Sequence, residues 1–193
     1  MLNPAEKRRV RWLKEMMIMF KGLFKKKTLS DRLKGEAISL GLCQPWQREW
    51  RDNSSNDELA DKFIRGIDFS IKHDWPKPEF IKTHFDSDFL KRWGVFVDQK
   101  VAMTSQYTER SVLVFLGKNE GTLEFDGFDS KDIYVRHQGK LRIVAAGKSF
   151  IRITTYDDVE IDAEAIDDAR IFIYHHGGKV KMSGRVVYRE REA

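Results

Sequence analysis

The stretch that decides the fold is residues 133–175, IYVRHQGKLRIVAAGKSFIRITTYDDVEIDAEAIDDARIFIYH. Apolar residues alternate here with polar ones, and turn-forming pairs such as Asp157-Asp158 interrupt the alternation at short intervals. Alternation with a period of two is the signature of β-strands that bury one face. The stretch therefore predicts a series of short strands joined by tight turns.

The spacing of three isoleucines predicts how these strands are arranged. Ile133, Ile151 and Ile171 lie 18 and 20 residues apart, and each opens a strand of the form I-x-[VI]-x-[HT]. A second strand follows each of them after eight or nine residues, at Leu141, Val159 and Val180. Such a two-strand repeat predicts a small β-solenoid, whose stacked coils bury a continuous apolar interior. In that arrangement the three isoleucines lie one above another.

The fold class is α+β, because helix-forming sequence precedes the strands. An antiparallel meander or small sandwich is the alternative to the solenoid, since it also places strands at intervals of about 8–12 residues. We divide the chain into a basic amphipathic helix at residues 1–28, a small helical subdomain at residues 29–96 and a β-repeat domain at residues 97–193.

The helical subdomain is predicted from periodicity and from prolines. Leu59, Phe63, Ile67 and Ile71 recur every four residues, as on one face of a helix. Pro78 can open a further helix, because the first turn tolerates a residue without an N–H. Short helices of this kind form only when they pack together. We therefore assign the tryptophans and phenylalanines of this region to core packing.

Positive charge is concentrated at the N-terminus. The chain carries a net charge of +5, and residues 1–34 hold eleven basic and three acidic residues, a net +8. The remaining residues are therefore slightly acidic. A single cysteine, Cys43, excludes an internal disulfide framework and a multi-thiolate metal cage. This composition suits a folded protein with a strongly ionic surface.

The basic amphipathic helix offers two sets of candidate binding residues. Those that could bind a partner or phosphate are Arg8, Arg9, Arg11, Lys14, Lys21, Lys25, Lys26 and Lys27. The apolar face that could dock on a protein consists of Trp12, Leu13, Met16, Phe20 and Phe24. Such a helix can pack on its own body or a partner, lie on an anionic membrane, or bind nucleic-acid phosphate. All three interpretations stay open.

No targeting or membrane-spanning segment is predicted. The apolar run at residues 16–20 is five residues long, which is shorter than the core of a signal peptide, and lysines follow it closely. No stretch approaches the roughly 20 apolar residues that a membrane helix needs. We expect the protein in the cytoplasm or within a phage particle.

Catalytic and metal-binding motifs are not evident. The sequence lacks G-x-S-x-G, a phosphate-binding loop and G-x-G-x-x-G. His137 and His175 occupy matching positions of the predicted repeat, with Thr155 between them, and a metal would need a third ligand. Asp162 and Glu164 could serve a polysaccharide-cleaving enzyme only beside a cleft. We predict no catalytic residue, no metal and no cofactor.

Four short segments carry a family resemblance. They are GEAISLGLC at residues 35–43, RGIDF at 65–69, PEFIK at 78–82 and GVFVD at 94–98. In these the chain resembles small uncharacterised proteins of gut anaerobes and their phages or prophages, over about residues 35–188. The resemblance implies a helical N-terminal half and a β-repeat C-terminal half, and it implies no catalytic residues. It does not extend to the basic helix.

These observations together favour a non-enzymatic structural or adaptor protein. It would use the β-solenoid as a platform and the basic helix for docking, as a component of a phage or mobile-element assembly. A protein partner or self-assembly is the expected interaction, and no small-molecule substrate is evident. Nucleic-acid binding through residues 7–34 is one alternative, and a polysaccharide-acting solenoid enzyme is another.

Overall fold

The computed structural model describes Glu6 and residues 9–16, 27–107 and 109–191. The chain divides into two compact units, residues 1–54 and 55–193. The predicted subdomain of residues 29–96 thus spans parts of both units. Each unit is described by itself.

The described part of the first unit is mainly helical. Residues 9–16 are helical, and two further helices follow, α1 (Leu29–Ser39) and α2 (Gln44–Glu49). Thr28 caps α1, because its side chain accepts a hydrogen bond from the backbone N–H of Asp31. The indole N–H of Trp50 donates to Ser30 Oγ at 3.0 Å, which ties the residue after α2 to the first turn of α1.

The second unit begins with four short helices. They are α3 (Asn56–Arg65), α4 (Ile67–Lys72), α5 (Pro78–His84) and α6 (Ser87–Arg92). Ser55 and Glu58 form a reciprocal capping box at the start of α3. Pro78 stands in the first turn of α5, as the sequence predicts. Apolar residues on these helices include Ile71, Ile81 and Phe89, which are buried in one cluster.

Eleven strands follow in the described part of the second unit. They are β1 (Val95–Val97), β2 (Lys100–Thr104), β3 (Val112–Gly117), β4 (Glu120–Phe125), β5 (Ser130–His137), β6 (Lys140–Ala145), β7 (Phe150–Thr155), β8 (Glu160–Ala165), β9 (Arg170–His175), β10 (Lys179–Gly184) and β11 (Val186–Glu190). The odd-numbered strands form one sheet in chain order, here called the odd sheet, and the even-numbered strands form the even sheet.

Every neighbouring pair of strands in both sheets is parallel. The chain therefore alternates between the two sheets and climbs by one strand spacing per coil. This confirms the predicted β-solenoid and excludes the antiparallel meander, in which consecutive strands would be neighbours in one sheet.

The coils from β3 to β9 repeat every 20 residues, and this corrects the predicted register. Ile133 pairs with Ile153, and Ile153 with Ile173. Ile151 lies in another row, between Lys131 and Ile171. The predicted stack of Ile133, Ile151 and Ile171 is therefore wrong by two residues at its first step.

Lys131 explains the error. It occupies the position that isoleucine holds in the next two coils. The spacing of isoleucines in the sequence therefore points to Ile133, two residues away from the true equivalent. The side chain of Lys131 is buried, and its ammonium donates to the backbone carbonyl of Arg110 at 3.1 Å. It also lies 3.6 Å from a carboxylate oxygen of Asp129. A charged residue can hold this position because it finds both partners there.

The interior of the solenoid is mostly apolar, with Lys131 and Thr155 among its few buried polar residues. The rows Leu113–Ile133–Ile153–Ile173 and Leu123–Ile143–Ala163 face each other across the two sheets, and all of their side chains are buried. A second cluster lies between the four helices and the outer face of the odd sheet, where it buries Val95, Val114 and Leu116. The helices thus cover β1 and β3.

Candidate binding surfaces

The outer face of the even sheet is a ladder of alternating charge. Lys100, Glu120, Lys140, Glu160 and Lys179 stack in register on successive strands. The ammonium of Lys140 lies 3.2 Å from Glu160, and that of Lys100 lies 3.8 Å from Glu120. Each charge therefore has an opposite charge on the next strand, which suits a solvated face.

The two carboxylates considered for a hydrolase lie on this same face. The guanidinium of Arg142 lies 3.2 Å from Asp162 and 2.6 Å from Glu164. Both carboxylates are thus bound to one arginine on the neighbouring strand. Among the described residues, no group of three or more His, Cys, Asp or Glu side chains is placed to hold a metal ion.

The predicted histidine pair is not in register, which corrects another expectation. His175 pairs with Thr155, but Thr155 pairs on its other side with Val135. His137 lies two residues further along, and its backbone N–H donates to a carboxylate oxygen of Asp157 at 3.2 Å. The same two-residue slip that misplaced the isoleucines produced this prediction.

His137 instead joins the solenoid to the helical layer. Its Nδ1 accepts a hydrogen bond from the backbone N–H of Gly117 at 3.1 Å. Its Nε2 therefore carries the proton, and it lies 2.8 Å from Asp74 Oδ1, just beyond α4. Burial opposes ionisation of Asp74, but hydrogen bonds from Lys77 and His137 outweigh it and lower the pKa of the carboxyl.

Arg136 reinforces this junction, which we call the Asp74–His137 latch. Its guanidinium donates to the backbone carbonyl of Ile71 and to Asp157, the latter at 2.8 Å. It also lies 3.8 Å from Asp74. The cluster of charged groups is satisfied by internal bonds, and it therefore has a structural role.

The predicted N-terminal residues are only partly described. Arg8, Lys21, Lys25, Lys26, Phe20 and Phe24 lie outside the described residues. Of the others, Arg9, Arg11, Lys14 and Lys27 are exposed. Trp12 and Leu13 are 57% and 45% exposed, and Met16 is half-buried. Arg11 pairs with Glu15 on the same helix at 3.0 Å. Binding by this segment stays a prediction.

The last coil of the solenoid, formed by β10 and β11, differs from the first. In the first coil the core-facing residues Phe96 and Met103 are 1% and 2% exposed. In the last coil Met182 and Tyr188 are in register with the buried Ala163 and Ile173. Their exposed fractions are nevertheless 47% and 39%. Within the described residues, no strand pairs with the far edge of either strand.

The outer face of the odd sheet carries rings and arginines beyond the helical layer. We call this surface, on β7, β9 and β11 and the residues that directly follow them, the arginine–aromatic face. Its arginines are Arg152, Arg170, Arg189 and Arg191, and all four are exposed. Its rings are Phe150, Tyr156, Phe172, Tyr174 and His176, of which Phe150 is exposed and the others half-buried.

The register interleaves these two kinds of side chain. Arg152 pairs with Phe172, and Thr154 with Tyr174, which in turn pairs with Arg189. Tyr156 and His176 stack with their ring centroids 4.3 Å apart. The guanidinium of Arg191 lies 5.4 Å from the centre of the Tyr174 ring, within the range of a cation–π contact.

A depression of about 310 Å³ lies at the edge of this face. Its lining includes Tyr134, Thr154, Tyr174 and Arg191. The hydroxyl of Tyr134 donates to Asp68 on α4 at 3.1 Å. Burial and the neighbouring carboxylate of Asp68 both raise the pKa of Tyr134, so it stays a neutral donor. The helical layer thus forms one wall of the depression.

Little negative charge balances the arginines. Within the described part of the chain, Asp132 is the one carboxylate that ion-pairs with them, through two N–H groups of Arg152. Arg170 and Arg189 form no ion pair there. The face therefore carries excess positive charge beside exposed aromatic surface.

Sequence reasoning missed this face. Its residues are not singled out in the sequence, because arginine is common on the polar side of a strand. The 20-residue register was needed to bring Arg152, Phe172 and Tyr174 onto adjacent strands. A signal was present in residues 170–176, where rings recur at every second position from Phe172 to His176.

Comparisons with protein-family models, curated proteins and solved structures gave no match for this chain. None of the described helices is long and apolar enough to cross a membrane.

Proposed function

We propose that the protein is a non-enzymatic structural protein that assembles through the last coil of its β-solenoid. The observation that carries this proposal is the exposure of Met182 and Tyr188 at positions that are buried in the preceding coil. Exposed core positions and unpaired strand edges are both stabilised by pairing with another chain.

The occupant of this coil is a second copy of the same chain. Phe96 and Met103 are buried in the first coil, so the two ends of the solenoid are unlike. A last coil cannot stack on a first coil that is already covered. Pairing of two last coils about a twofold axis buries both at once, and it produces a closed dimer.

Repulsion between exposed cations of the two copies should lower the affinity of this dimer. Lys179, Lys181, Arg185 and Arg189 lie on or beside the two edge strands, and they are exposed. Two copies would bring these cations together, and lysine on an edge strand generally opposes pairing. Salt screens repulsion between exposed charges. We therefore expect a dimer that tightens as the ionic strength rises.

Sedimentation velocity over a micromolar to millimolar concentration series tests the proposal. We expect a monomer–dimer equilibrium that Met182→Lys shifts toward monomer. The matched control is Leu13→Lys, because Leu13 is 45% exposed and Met182 47%. It adds the same ammonium to the predicted docking face of the N-terminal helix, and it should leave the equilibrium unchanged.

Two outcomes would overturn the proposal. One is a monomer throughout the concentration series at both low and high salt. The other is a dimer that Leu13→Lys dissociates and Met182→Lys does not, which would assign assembly to the N-terminal helix. Circular dichroism of both variants checks that the fold is intact.

The wider role follows from the resemblance to proteins of gut anaerobes and their phages or prophages. That resemblance supports a place in a phage particle or another mobile-element assembly, where a rigid dimeric solenoid would act as a spacer or adaptor. The binding of both Asp162 and Glu164 to Arg142 supports a structural rather than a hydrolytic role for this acidic pair.

A further inference from the structure

We propose that the arginine–aromatic face binds single-stranded nucleic acid, with arginines on the phosphates and bases stacked on the rings. This site shares the edge strand β11 and its residue Arg189 with the dimer contact proposed above, but its rings lie on or directly after β7 and β9. It contains no residue of the basic N-terminal helix.

The positive charge of this face indicates that its ligand is a polyanion. Arg170 and Arg189 are exposed and form no ion pair within the described residues. Arg191 is held over the Tyr174 ring rather than by a carboxylate. On the even sheet, by contrast, Lys140 and Arg142 have carboxylates on the next strand. Positive charge is thus left uncompensated on one face of the solenoid, and phosphate is the anion that arginine recognises in nucleic acids.

The aromatic rings of this face indicate which polyanion it binds, namely a single-stranded nucleic acid. Tyr174 and His176 are half-buried, so each is held by its neighbours while part of its ring stays accessible. Bases that are not paired in a duplex stack on such rings without regard to sequence, and arginines beside them add cation–π contacts. A duplex offers phosphates but keeps its bases inside. Stacking therefore favours a single strand over a duplex.

Spacing fits an extended strand. Alternate residues on a parallel strand are about 6.6 Å apart, and neighbouring strands are separated by about 4.8 Å. The rows that contain Arg152, Tyr174 and His176 follow at the first of these intervals. This interval is about twice the 3.4 Å rise along the helix axis that separates successive nucleotides of one strand in stacked B-DNA. A nucleic acid on this face would therefore have its bases drawn apart and laid on the rings.

Fluorescence anisotropy with labelled oligothymidylate and oligouridylate tests the proposal on the full chain. The charge variant is Arg170→Gln/Arg189→Gln. It should weaken binding and reduce the slope of log affinity against log salt by about 0.7 for each phosphate that the variant no longer binds. The control variant removes the same charge elsewhere, Lys140→Gln/Lys179→Gln on the even sheet, and it should bind much as the parent does. Arg9→Gln/Arg11→Gln tests the rival prediction, in which the N-terminal helix binds the phosphates.

The stacking variant is Tyr174→Leu, which keeps an apolar side chain but removes the ring. We expect its affinity to fall about fivefold or more, because one base–ring stack contributes at least about 1 kcal/mol. Tyr107→Leu is the matched control, since Tyr107 is an exposed tyrosine in the turn after β2. It should leave the affinity unchanged, and Tyr174→Phe should retain most of the binding.

Several results would overturn the proposal. These are an absence of binding at low salt, an equally weakened affinity in the even-sheet control, and weakened binding in Arg9→Gln/Arg11→Gln but not in the variants of the arginine–aromatic face. Tighter binding to a duplex of equal length, or to vesicles of anionic lipid, would assign the face to another polyanion. Repeating the assay with Met182→Lys separates this inference from the dimer proposal, because a monomer should still bind.

Discussion

His137 Nε2 lies 2.8 Å from Asp74 Oδ1, and this hydrogen bond joins residues 63 positions apart in sequence. It connects the last residue of β5 to the segment that follows α4. The helical layer and the edge of the solenoid are therefore joined by a directional contact as well as by apolar packing.

Removal of the imidazole should weaken this latch. We expect His137→Ala to lower the free energy of unfolding by about 1–2 kcal/mol, because Asp74 and the backbone N–H of Gly117 are each deprived of a hydrogen-bond partner. Urea unfolding followed by circular dichroism measures the change. His175→Ala is the matched control, since its partly exposed ring lies 3.2 Å from the backbone carbonyl of Gly178 and contacts the ring of Tyr188, but has no carboxylate partner among the described residues. An equal cost in both variants would contradict the assigned role.

Acid should weaken the second unit through Asp74 and Asp98. Burial opposes ionisation of both, but hydrogen bonds and nearby cations outweigh it, so both pKa values lie below the usual 3.8. A carboxyl with a lowered pKa adds stability that is complete above its unfolded pKa and is lost as the pH falls through its folded pKa. Stability should therefore be constant near neutrality and decline below about pH 4.

Urea midpoints measured between neutral and acid pH check this dependence. Asp74→Asn should lower stability at neutral pH and make the acid decline shallower. Asp158→Asn removes an exposed carboxylate from a turn of the solenoid, and it should leave the pH profile unchanged. A profile for Asp74→Asn that parallels that of the parent would show that the latch does not contribute.

The buried pair Lys131–Asp129 should respond differently to single and double substitution. Lys131→Ile continues the isoleucine row of the next two coils, but it leaves the carboxylate of Asp129 without its cation. One oxygen of that carboxylate is already buried without a hydrogen bond. We expect Lys131→Ile to cost about 1–3 kcal/mol, and Lys131→Ile/Asp129→Ala to recover most of that stability, because paired charges can be replaced together.

A thermodynamic cycle over the two single variants and the double variant measures this coupling. Additive costs, with the double variant the least stable, would indicate that the pair stabilises the coil outright. Recovery would instead identify Lys131 as a tolerated interruption of an otherwise apolar row.

The stability of the solenoid should depend on the sign of the charges in the ladder on the even sheet. Lys140→Glu places three carboxylates on adjacent strands, at positions 120, 140 and 160. We expect it to destabilise the solenoid by up to about 1 kcal/mol, and added salt to reduce that effect. Lys140→Met removes the attraction without adding repulsion, so it should cost less and show little salt dependence. Thermal melts at two salt concentrations compare the variants.

The solenoid could be predicted from local sequence because each coil is built from the same alternation. Ile-x-Ile and Leu-x-Ile segments return at a steady interval, and the resulting fold needs no information from distant residues. The register between successive coils was harder to predict from the sequence. It depends on the position of Lys131, and a lysine carries no local sign that it will find a buried carboxylate and a carbonyl.

The binding surfaces and the latch could not be predicted, for two physical reasons. Residues such as Arg152 and Tyr174 become neighbours only once the coil length is known, and an error of two residues separates them. Asp74 and His137 lie in different secondary-structure layers, and their contact follows from how the helices pack on the odd sheet. The residue pattern within a single strand or helix indicates neither which residues lie on adjacent strands nor how the helices pack on the odd sheet.

The alternating charges on the even sheet constrain how such a chain can grow. Successive coils carry Lys, Glu, Lys, Glu and Lys at one position of the even sheet, so the pattern returns only after two coils, which are 39 or 40 residues. Duplication of a single coil would set like charges against each other, whereas duplication of two would preserve every attraction. Lengthening of this protein by gene duplication is therefore favoured when it adds an even number of coils.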